Sequence, residues 1–150
     1  MKSIHDQIWE SAMRKLEIRS HSKYELLAKL YEKFPNDRGT ILKVIEEMEK
    51  VQLLNDRRFA EEYVHHLIQK PIGRFKILME TRKKGLDEQL VEQILENEGW
   101  NEDEAIKEAY EQKNRILGEK DKRKRDAKIA NFLKNRGFSN SVIYGFLKNV

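Results

Sequence analysis

The sequence predicts an all-α protein made of three tandem three-helix repeats. Only two prolines and seven glycines interrupt 150 residues, and the apolar residues recur with the 3.6-residue period of a helix rather than the alternation of a strand. Related patterns also recur after 51 and 52 residues, as in proteins that stack small helical units. We therefore expect units at residues 1–54, 55–100 and 101–150, stacked into an elongated, curved body.

The first predicted helix of each unit carries apolar residues at positions i, i+1, i+4 and i+5. This spacing places two adjacent rows of side chains on one face of a helix, and that face has to be buried against neighbouring helices. The residues are Ile8, Trp9, Ala12, Met13 and Leu16 in the first unit, Phe59, Ala60, Tyr63, Val64, Leu67 and Ile68 in the second, and Ala105, Ile106, Ala109 and Tyr110 in the third.

The second predicted helix has inward-facing positions followed by a basic residue in all three units. The aligned sets are Leu26, Leu27, Leu30 and Lys33, then Ile77, Leu78, Thr81 and Lys84, then Ile129, Ala130, Leu133 and Arg136. Gly85 and Gly137 follow the basic residue in the second and third units and favour the left-handed backbone of a helix end. In the first unit Phe34 and Pro35 stand there instead, which predicts a differently shaped turn.

A short third helix completes each predicted unit. Its apolar residues are Ile41, Val44 and Ile45 in the first unit, Leu90, Val91, Ile94 and Leu95 in the second, and Val142, Ile143, Phe146 and Leu147 in the third. Polar residues of the kind that cap helix N-termini precede several of the predicted helices. They are Asp87, Ser139 and the capping-box pairs Ser22 with Glu25 and Asn101 with Glu104.

The sequence contains no convergent set of catalytic residues. It has no cysteine and no glycine-rich loop that ends in Gly-Lys-Ser or Gly-Lys-Thr. His65 and His66 point about 100° apart on a helix, so they cannot chelate one ion as an i, i+4 pair would. His5 and His21 have no clear partners in the sequence. We therefore expect a protein that is not an enzyme and uses no metal or cofactor.

Composition also indicates where the protein works. No segment approaches the roughly 20 apolar residues that span a bilayer, and the N-terminal MKSIHDQIWE lacks the apolar core of a signal peptide. The formal net charge of +4 gives a mild preference for acidic partners. We expect a cytoplasmic protein, monomeric and independent of membranes.

The segment between Gly73 and Gly85 presents basic residues on a predicted helix. A helical wheel places Lys76 and Lys83 outward and Lys84 on the flank. Arg74 and Arg82 lie near the apolar edge, where their aliphatic stems can cover Phe75 and Leu78. An ordinary solvated helix surface explains this pattern as well as a binding surface does.

A denser basic run, KDKRKRDAK, extends from Lys120 to Lys128. It has six basic residues against Asp121 and Asp126, and includes Arg123, Lys124 and Arg125. Positive charge is unfavourable near a helix N-terminus. A solvated helix start is the simpler interpretation, but this cost favours contact with phosphate or with an acidic protein.

Several of these segments together resemble one protein family. LLNDRRFAEEYV followed by KPIGRFKILMETRKKGL, which includes Pro71, Gly73 and Arg74, resembles the signature of the RecX family, regulators of the RecA recombinase. RSHSKYELLAKL, from Arg19 to Leu30, and NRGF in the third unit resemble further parts of the same family. Thr81, where a leucine would be typical, departs from the pattern.

The resemblance implies a non-enzymatic regulator that binds along the RecA filament on single-stranded DNA. Such a regulator would suppress the filament's ATP hydrolysis and strand exchange, and so modulate recombination, DNA repair and the SOS response. A helical-repeat protein that binds nucleic acid mainly through phosphate contacts is the alternative, and direct contact with single-stranded DNA stays open. The residues expected to contact the filament or DNA are Arg57, Arg58, Arg74, Lys76, Arg82, Lys83, Lys84, Arg123, Lys124 and Arg125.

Overall fold

The computed structural model describes all residues from Met1 to Val150 and contains nine helices and no strand. The predictions of an all-α chain and of tandem three-helix repeats are confirmed. The helices are α1 (Ile4–Ile18), α2 (Lys23–Lys33), α3 (Arg38–Lys50), α4 (Asp56–Leu67), α5 (Arg74–Lys83), α6 (Glu88–Asn97), α7 (Glu102–Ile116), α8 (Lys122–Asn135) and α9 (Asn140–Leu147).

The helix starts follow the predicted caps. Ser22 and Glu25 form the complete capping box at α2, because the Ser22 hydroxyl accepts from the Glu25 N–H and the Glu25 carboxylate accepts from the Ser22 N–H. At α7 the Asn101 side chain accepts from the N–H groups of Asp103 and Glu104. Asp87 accepts from the N–H of Gln89 and Ser139 from that of Val142 at the starts of α6 and α9.

The two predicted glycine ends have the expected backbone. Gly85 has φ +71° and Gly137 has φ +91°, so α5 and α8 end in the left-handed region that favours glycine. In both turns the next backbone N–H donates to a carbonyl of the preceding helix. Leu86 donates to Thr81 at 3.1 Å, and Phe138 donates to Leu133 at 3.2 Å. Phe34 ends α2 with φ −125°, as the Phe-Pro sequence indicates.

The chain divides into two compact units that do not coincide with the three repeats. Unit 1 comprises residues 1–62 and 81–91, and unit 2 comprises residues 63–80 and 92–150. In unit 1, α1 packs against α2 and α3. The buried core there is formed by Ile8, Ala12, Leu26, Leu30, Ile41, Val44, Ile45, Met48 and Leu54. Most of these residues are the apolar positions that the helical periodicity identified.

In unit 2, α7 packs against α8 and α9. The core there consists of Ala105, Ile106, Ala109, Ile129, Leu133, Phe138 and Ile143. Tyr110 and Phe146 add an edge-to-face contact with ring centroids 5.2 Å apart. The third repeat therefore buries the residues that its sequence pattern places inward.

Within unit 1, the first turn of α2 docks on the turn after α5. Tyr24 lies so close to Gly85 that any Cβ at residue 85 would overlap it. The Lys23 N–H donates to the Asp56 carboxylate at 2.7 Å, which also ties the start of α2 to the start of α4. A glycine is thus needed at position 85 for its backbone conformation and for this close approach.

Within unit 2, the first turn of α5 docks in the same manner on the turn after α8. Gly137 faces Lys76 without room for a Cβ, and the Phe75 N–H donates to the Gly137 carbonyl at 3.1 Å. The Arg74 N–H donates to the Glu102 carboxylate at 2.7 Å, at the first residue of α7. We call each of these two arrangements a repeat joint, in which a second helix meets the glycine turn and the acidic helix start of the following repeat.

Candidate functional site

The ten basic residues singled out in the sequence fall into two classes by exposure. Six are exposed, namely Arg57, Arg58, Arg82, Lys83, Arg123 and Lys124. Four are half-buried, namely Arg74, Lys76, Lys84 and Arg125. The half-buried members are engaged by neighbouring parts of the fold.

At the start of α4, Arg57 and Arg58 lie on the surface. Arg57 Nε is 3.2 Å from the Glu61 carboxylate, one turn along the helix. The Arg58 guanidinium reaches the Gln52 carbonyl at 3.4 Å. Exposed contacts of this kind contribute about 0–1 kcal/mol, so both cations remain available to a partner.

At the end of α5, the side chains of Arg82 and Lys84 differ in exposure and in how closely they are paired. The Arg82 guanidinium is 3.8 Å from Glu88, and both side chains are largely exposed. The Lys84 ammonium is 2.8 Å from the Glu25 carboxylate, and the side chains are only 27% and 11% exposed respectively. Lys84 directly follows the last residue of α5, and its ammonium group is paired inside unit 1.

Glu25 is the acceptor of a small buried network. Burial alone would raise the pKa of its carboxyl group, but hydrogen bonds from Arg19, Lys84 and the Ser22 N–H outweigh that effect and lower the pKa to about 2. The Arg19 guanidinium lies 2.9 Å away. The carboxylate is therefore ionised at any physiological pH, and holds the end of α5 against the start of α2.

At the start of α5, the neighbouring segments engage two of the predicted basic residues. The Arg74 guanidinium pairs with Glu92 and lies 5.2 Å from the centre of the Trp100 ring. Lys76 is not fully outward, because its backbone and Cβ pack against Gly137. The helical wheel did not include the neighbouring turn that covers this part of α5.

The basic run of the third repeat forms the first turn of α8. The Asp121 side chain caps the helix by accepting from the Lys124 N–H at 3.0 Å. Lys122, Arg123 and Lys124 are exposed, and their side chains form no ion pair. Three cations therefore stand at a helix N-terminus, where the helix dipole disfavours them by some tenths of a kcal/mol each.

Arg125, also expected to contact the filament or DNA, anchors the connection between α7 and α8. Its guanidinium donates to the carbonyl groups of Leu117 and Glu119 at 3.4 Å and 3.0 Å, and to Asn114. The side chain is half-buried as a result. Sequence alone gave no sign of this role, because all its acceptors except one side-chain oxygen are backbone carbonyls.

A lysine cluster on α1 and α2 was missed in the sequence. The ammonium groups of Lys15 and Lys33 both donate to the buried Ser11 hydroxyl, at 3.0 Å and 3.3 Å. Burial, together with the positive charges of Lys33, Arg14 and Lys29, lowers the pKa of Lys15. Neither lysine is within 4 Å of a carboxylate. Like charges thus converge without a counter-charge, which makes this a second candidate surface for anions.

The buried His21 extends the same cluster. Its Nδ1 lies 3.0 Å from the Arg19 carbonyl and its Nε2 lies 2.8 Å from the Lys29 ammonium. A carbonyl only accepts and an ammonium only donates, so His21 is neutral with its proton on Nδ1. Burial lowers the pKa of His21, which also favours the neutral imidazole. The i, i+4 spacings of Ser11 with Lys15 and Lys29 with Lys33 are visible in the sequence, but the meeting of the two helices is not.

Other kinds of site receive no support from the side-chain arrangement. No group of three or more histidine, aspartate or glutamate residues is placed to hold a metal ion. None of the helices is both long and apolar enough to cross a membrane.

Comparisons with known proteins agree with the helical repeats. A family model described as RecX, second three-helix domain, matches residues 55–95, and one described as RecX, third three-helix domain, matches residues 101–147. A regulatory protein RecX from Pelodictyon phaeoclathratiforme is 36% identical over 138 residues, which cover 91% of this chain and 84% of that protein. One from Chlorobaculum tepidum is 32% identical over 142 residues, with coverages of 94% and 86%.

Two solved structures share the fold. The crystal structure of RecX from Lactobacillus salivarius has a TM-score of 0.76 at 23% identity and covers 97% of this chain and 95% of its own. Another crystal structure of a regulatory protein RecX has a TM-score of 0.82 at 21% identity, with coverages of 97% and 73%. At these identities the similarity concerns the fold alone.

The two matched domain models together span more than half of the chain. The relative from Pelodictyon phaeoclathratiforme adds a match at 36% identity along most of both sequences. This chain belongs to the RecX family.

Proposed function

We propose that this protein is a non-enzymatic regulator that binds the RecA filament on single-stranded DNA in the cytoplasm and acts as a monomer. Binding would inhibit the filament's ATP hydrolysis and strand exchange. Membership of a family whose relatives are named regulatory protein RecX supports a regulatory role. The choice of RecA as the regulated protein is based on the resemblance of the sequence to the RecX family.

The observation that carries the proposal is the exposed basic turn at the start of α8. Lys122, Arg123 and Lys124 have no ion-pair partner and face an unfavourable helix dipole. A local electrostatic cost of this kind is offset when an acidic partner or phosphate binds there. The basic turn is thus better suited to intermolecular contact than to stabilising α8.

The proposed contact surface consists of the six exposed residues: Arg57, Arg58, Arg82, Lys83, Arg123 and Lys124. Arg74, Lys76, Lys84 and Arg125 would act indirectly, because they hold helix ends and the α7–α8 connection in place. In this proposal the three units at residues 1–54, 55–100 and 101–150 remain the functional divisions of the chain, with contact residues in the second and third.

Charge reversal of the basic turn tests the proposal. Arg123→Glu with Lys124→Glu should weaken binding to a cognate RecA filament about tenfold or more, and weaken binding to bare single-stranded DNA less. Lys43→Glu with Lys107→Glu is the matched control, since both lysines are exposed on other helices and form no ion pair. Equal affinities of the reversed and control proteins for the filament would refute the role of this turn.

Nucleic-acid binding through phosphate contacts is a second candidate function, favoured by the lysine cluster around Ser11. Lys15, Lys29 and Lys33 present three ammonium groups without a carboxylate partner. Replacing all three by glutamine should reduce affinity for bare single-stranded DNA and flatten its salt dependence, because each lost phosphate contact reduces the logarithmic slope by about 0.7. An unchanged slope would exclude this cluster from DNA binding.

A further inference from the structure

Three lysine side chains from α1 and α2 converge within unit 1. The Ser11 hydroxyl, on α1, is fully buried and accepts hydrogen bonds from the ammonium groups of Lys15 and Lys33, at 3.0 Å and 3.3 Å. Lys15 lies one turn after Ser11 on the same helix, whereas Lys33 extends from the last turn of α2. Two positive charges from different helices therefore meet at one oxygen atom.

His21 holds the third ammonium group in a similar manner. Its Nε2 atom lies 2.8 Å from the Lys29 ammonium, and its Nδ1 atom is bound to the Arg19 carbonyl at 3.0 Å. The His21 residue is only 4% exposed, so the ring has little freedom to turn away from Lys29. Lys29 lies one turn before Lys33, which places both lysines on the same face of α2.

The fold supplies no negative charge to this lysine cluster. Burial, and after it the charges of Lys33, Arg14 and Lys29, lowers the pKa of Lys15. None of the three lysines forms an ion pair with a carboxylate. Bringing like charges together has a cost in free energy, and a bound anion would offset that cost.

The ammonium groups of the cluster are accessible to a ligand. Lys29 and Lys33 are exposed, and Lys15 is half-buried. An ammonium group has three N–H donors, and in each of these lysines one donor is bound to Ser11 or His21. The other donors belong to groups that the hydroxyl and the imidazole hold in place. A compact anion with several acceptor oxygens would satisfy them.

The convergence of the charges favours one dianionic group over a chain of single charges. An internal phosphate of DNA carries one negative charge, and successive phosphates are spread along the strand. A terminal phosphate group carries a charge of about −1.5 to −2 near pH 7 and presents three acceptor oxygens on one phosphorus atom. A row of lysines would suit a strand, whereas lysines gathered around two fixed acceptors suit a single phosphate group.

We propose that the lysine cluster is a binding site for a single dianionic phosphate group, supplied either by a phosphorylated DNA end or by a free phosphate. Lys15 and Lys33 would donate to its oxygens from beside Ser11, and Lys29 from beside His21. Ser11 and His21 are positioning residues. The proposal deepens the second candidate function, on which the DNA source rests, and does not depend on binding to the filament.

Inorganic phosphate is the first probe. In protein with isotope-labelled lysine, phosphate added near pH 7 at constant ionic strength should shift the side-chain NMR signals of the three clustered lysines saturably, but not that of Lys43. Acetate should produce no such shift. Ser11→Ala keeps every charge but removes the common acceptor, and should weaken phosphate binding about fivefold. Ser141→Ala, exposed on α9, is the matched control.

A single-stranded oligonucleotide with a 5′-phosphate distinguishes the two sources. It should bind about tenfold more tightly than the same oligonucleotide with a 5′-hydroxyl, because the added oxygens accept hydrogen bonds from charged donors. Lys15→Gln with Lys33→Gln should abolish this difference. Lys43→Gln with Lys107→Gln should preserve it, since both lysines are exposed on other helices.

The outcomes decide between the possible ligands. A saturable response to phosphate without a gain from the 5′-phosphate supports the site and assigns it to a free phosphate. Equal responses to phosphate and acetate, or equal phosphate affinities of Ser11→Ala and the unchanged protein, overturn the site in favour of general attraction between opposite charges. No response to phosphate, with equal binding of the two oligonucleotides, overturns the proposal and leaves nucleic-acid binding intact. If neither oligonucleotide binds, the nucleic-acid function fails, and the phosphate titration still decides the site.

Discussion

The Glu25 carboxylate and the Lys84 ammonium, 59 residues apart in the sequence, form a half-buried ion pair at 2.8 Å. The pair joins the capping box of α2 to the last turn of α5 inside unit 1. Glu25 also accepts hydrogen bonds from the Arg19 guanidinium and the Ser22 N–H. One carboxylate therefore links the end of α1, the start of α2 and the turn after α5. Its removal would leave a positive charge with little access to water, which is more costly than the loss of an exposed pair.

Glu25→Gln should therefore destabilise the protein by about 2 kcal/mol. The amide keeps the size of the side chain but cannot pair with the two cations. Urea unfolding followed by circular dichroism measures the change. Glu32→Gln, on an exposed position of the same helix, is the control and should lie within about 0.5 kcal/mol of the unchanged protein. Equal losses for the two variants would contradict the buried network.

The pH dependence of stability should reveal the same carboxylate. The pKa of Glu25 falls from an ordinary value of 4.5 to about 2 on folding. The folded state thus holds the carboxylate ionised, and its contribution is complete above about pH 4.5 and is lost as the pH falls towards 2. The difference in unfolding free energy between the unchanged protein and Glu25→Gln should narrow across this range. A constant difference from pH 6 to pH 2.5 would rule out the lowered pKa.

The glycine turns of the two repeat joints should tolerate no Cβ. Gly85→Ala and Gly137→Ala each combine a left-handed backbone with overlap onto Tyr24 or Lys76, so a loss of about 2 kcal/mol or more is expected. Gly39→Ala, inside α3 with open space around it, should be neutral or stabilising by up to about 1 kcal/mol. Thermal melts of the three variants measure these differences. A Gly137→Ala variant as stable as the unchanged protein would mean that the Gly137 turn and Lys76 are not in close contact.

Arg125 and Arg123 should respond differently to substitution. Arg125→Gln removes donors from the carbonyl groups of Leu117 and Glu119 and should cost about 1–2 kcal/mol. Arg123→Gln removes only an exposed charge at an unfavourable position and should leave stability within about 0.5 kcal/mol. Chemical denaturation measures both. A larger loss for Arg123 would reverse the assignment of anchor and contact residue.

Much of the fold could be predicted because its determinants are local. The 3.6-residue periodicity, the Ser22 capping box and the glycines at positions 85 and 137 each depend on residues within one helix or one turn. Repetition of the pattern after 51 and 52 residues then gave the order of the helices. Local rules could not give the two compact units, whose boundaries cross the second repeat.

The candidate site could be predicted only as a set of basic residues. Which of them are available depends on contacts between distant segments, as in Lys84 with Glu25 and Lys76 with Gly137. The same limitation hid the lysine cluster, because Lys15 and Lys33 meet at Ser11 only when α1 and α2 pack together. A helical wheel describes one helix and carries no information on what covers it.

The central claim is regulation of the RecA filament, and the most direct measurement is the rate of ATP hydrolysis by a cognate RecA recombinase on single-stranded DNA as this protein is added. We predict that the rate falls with increasing protein concentration, and that the Arg123→Glu, Lys124→Glu protein requires about tenfold more for the same effect while the Lys43→Glu, Lys107→Glu control does not. A hydrolysis rate that stays constant at protein concentrations well above that of the filament would contradict the account.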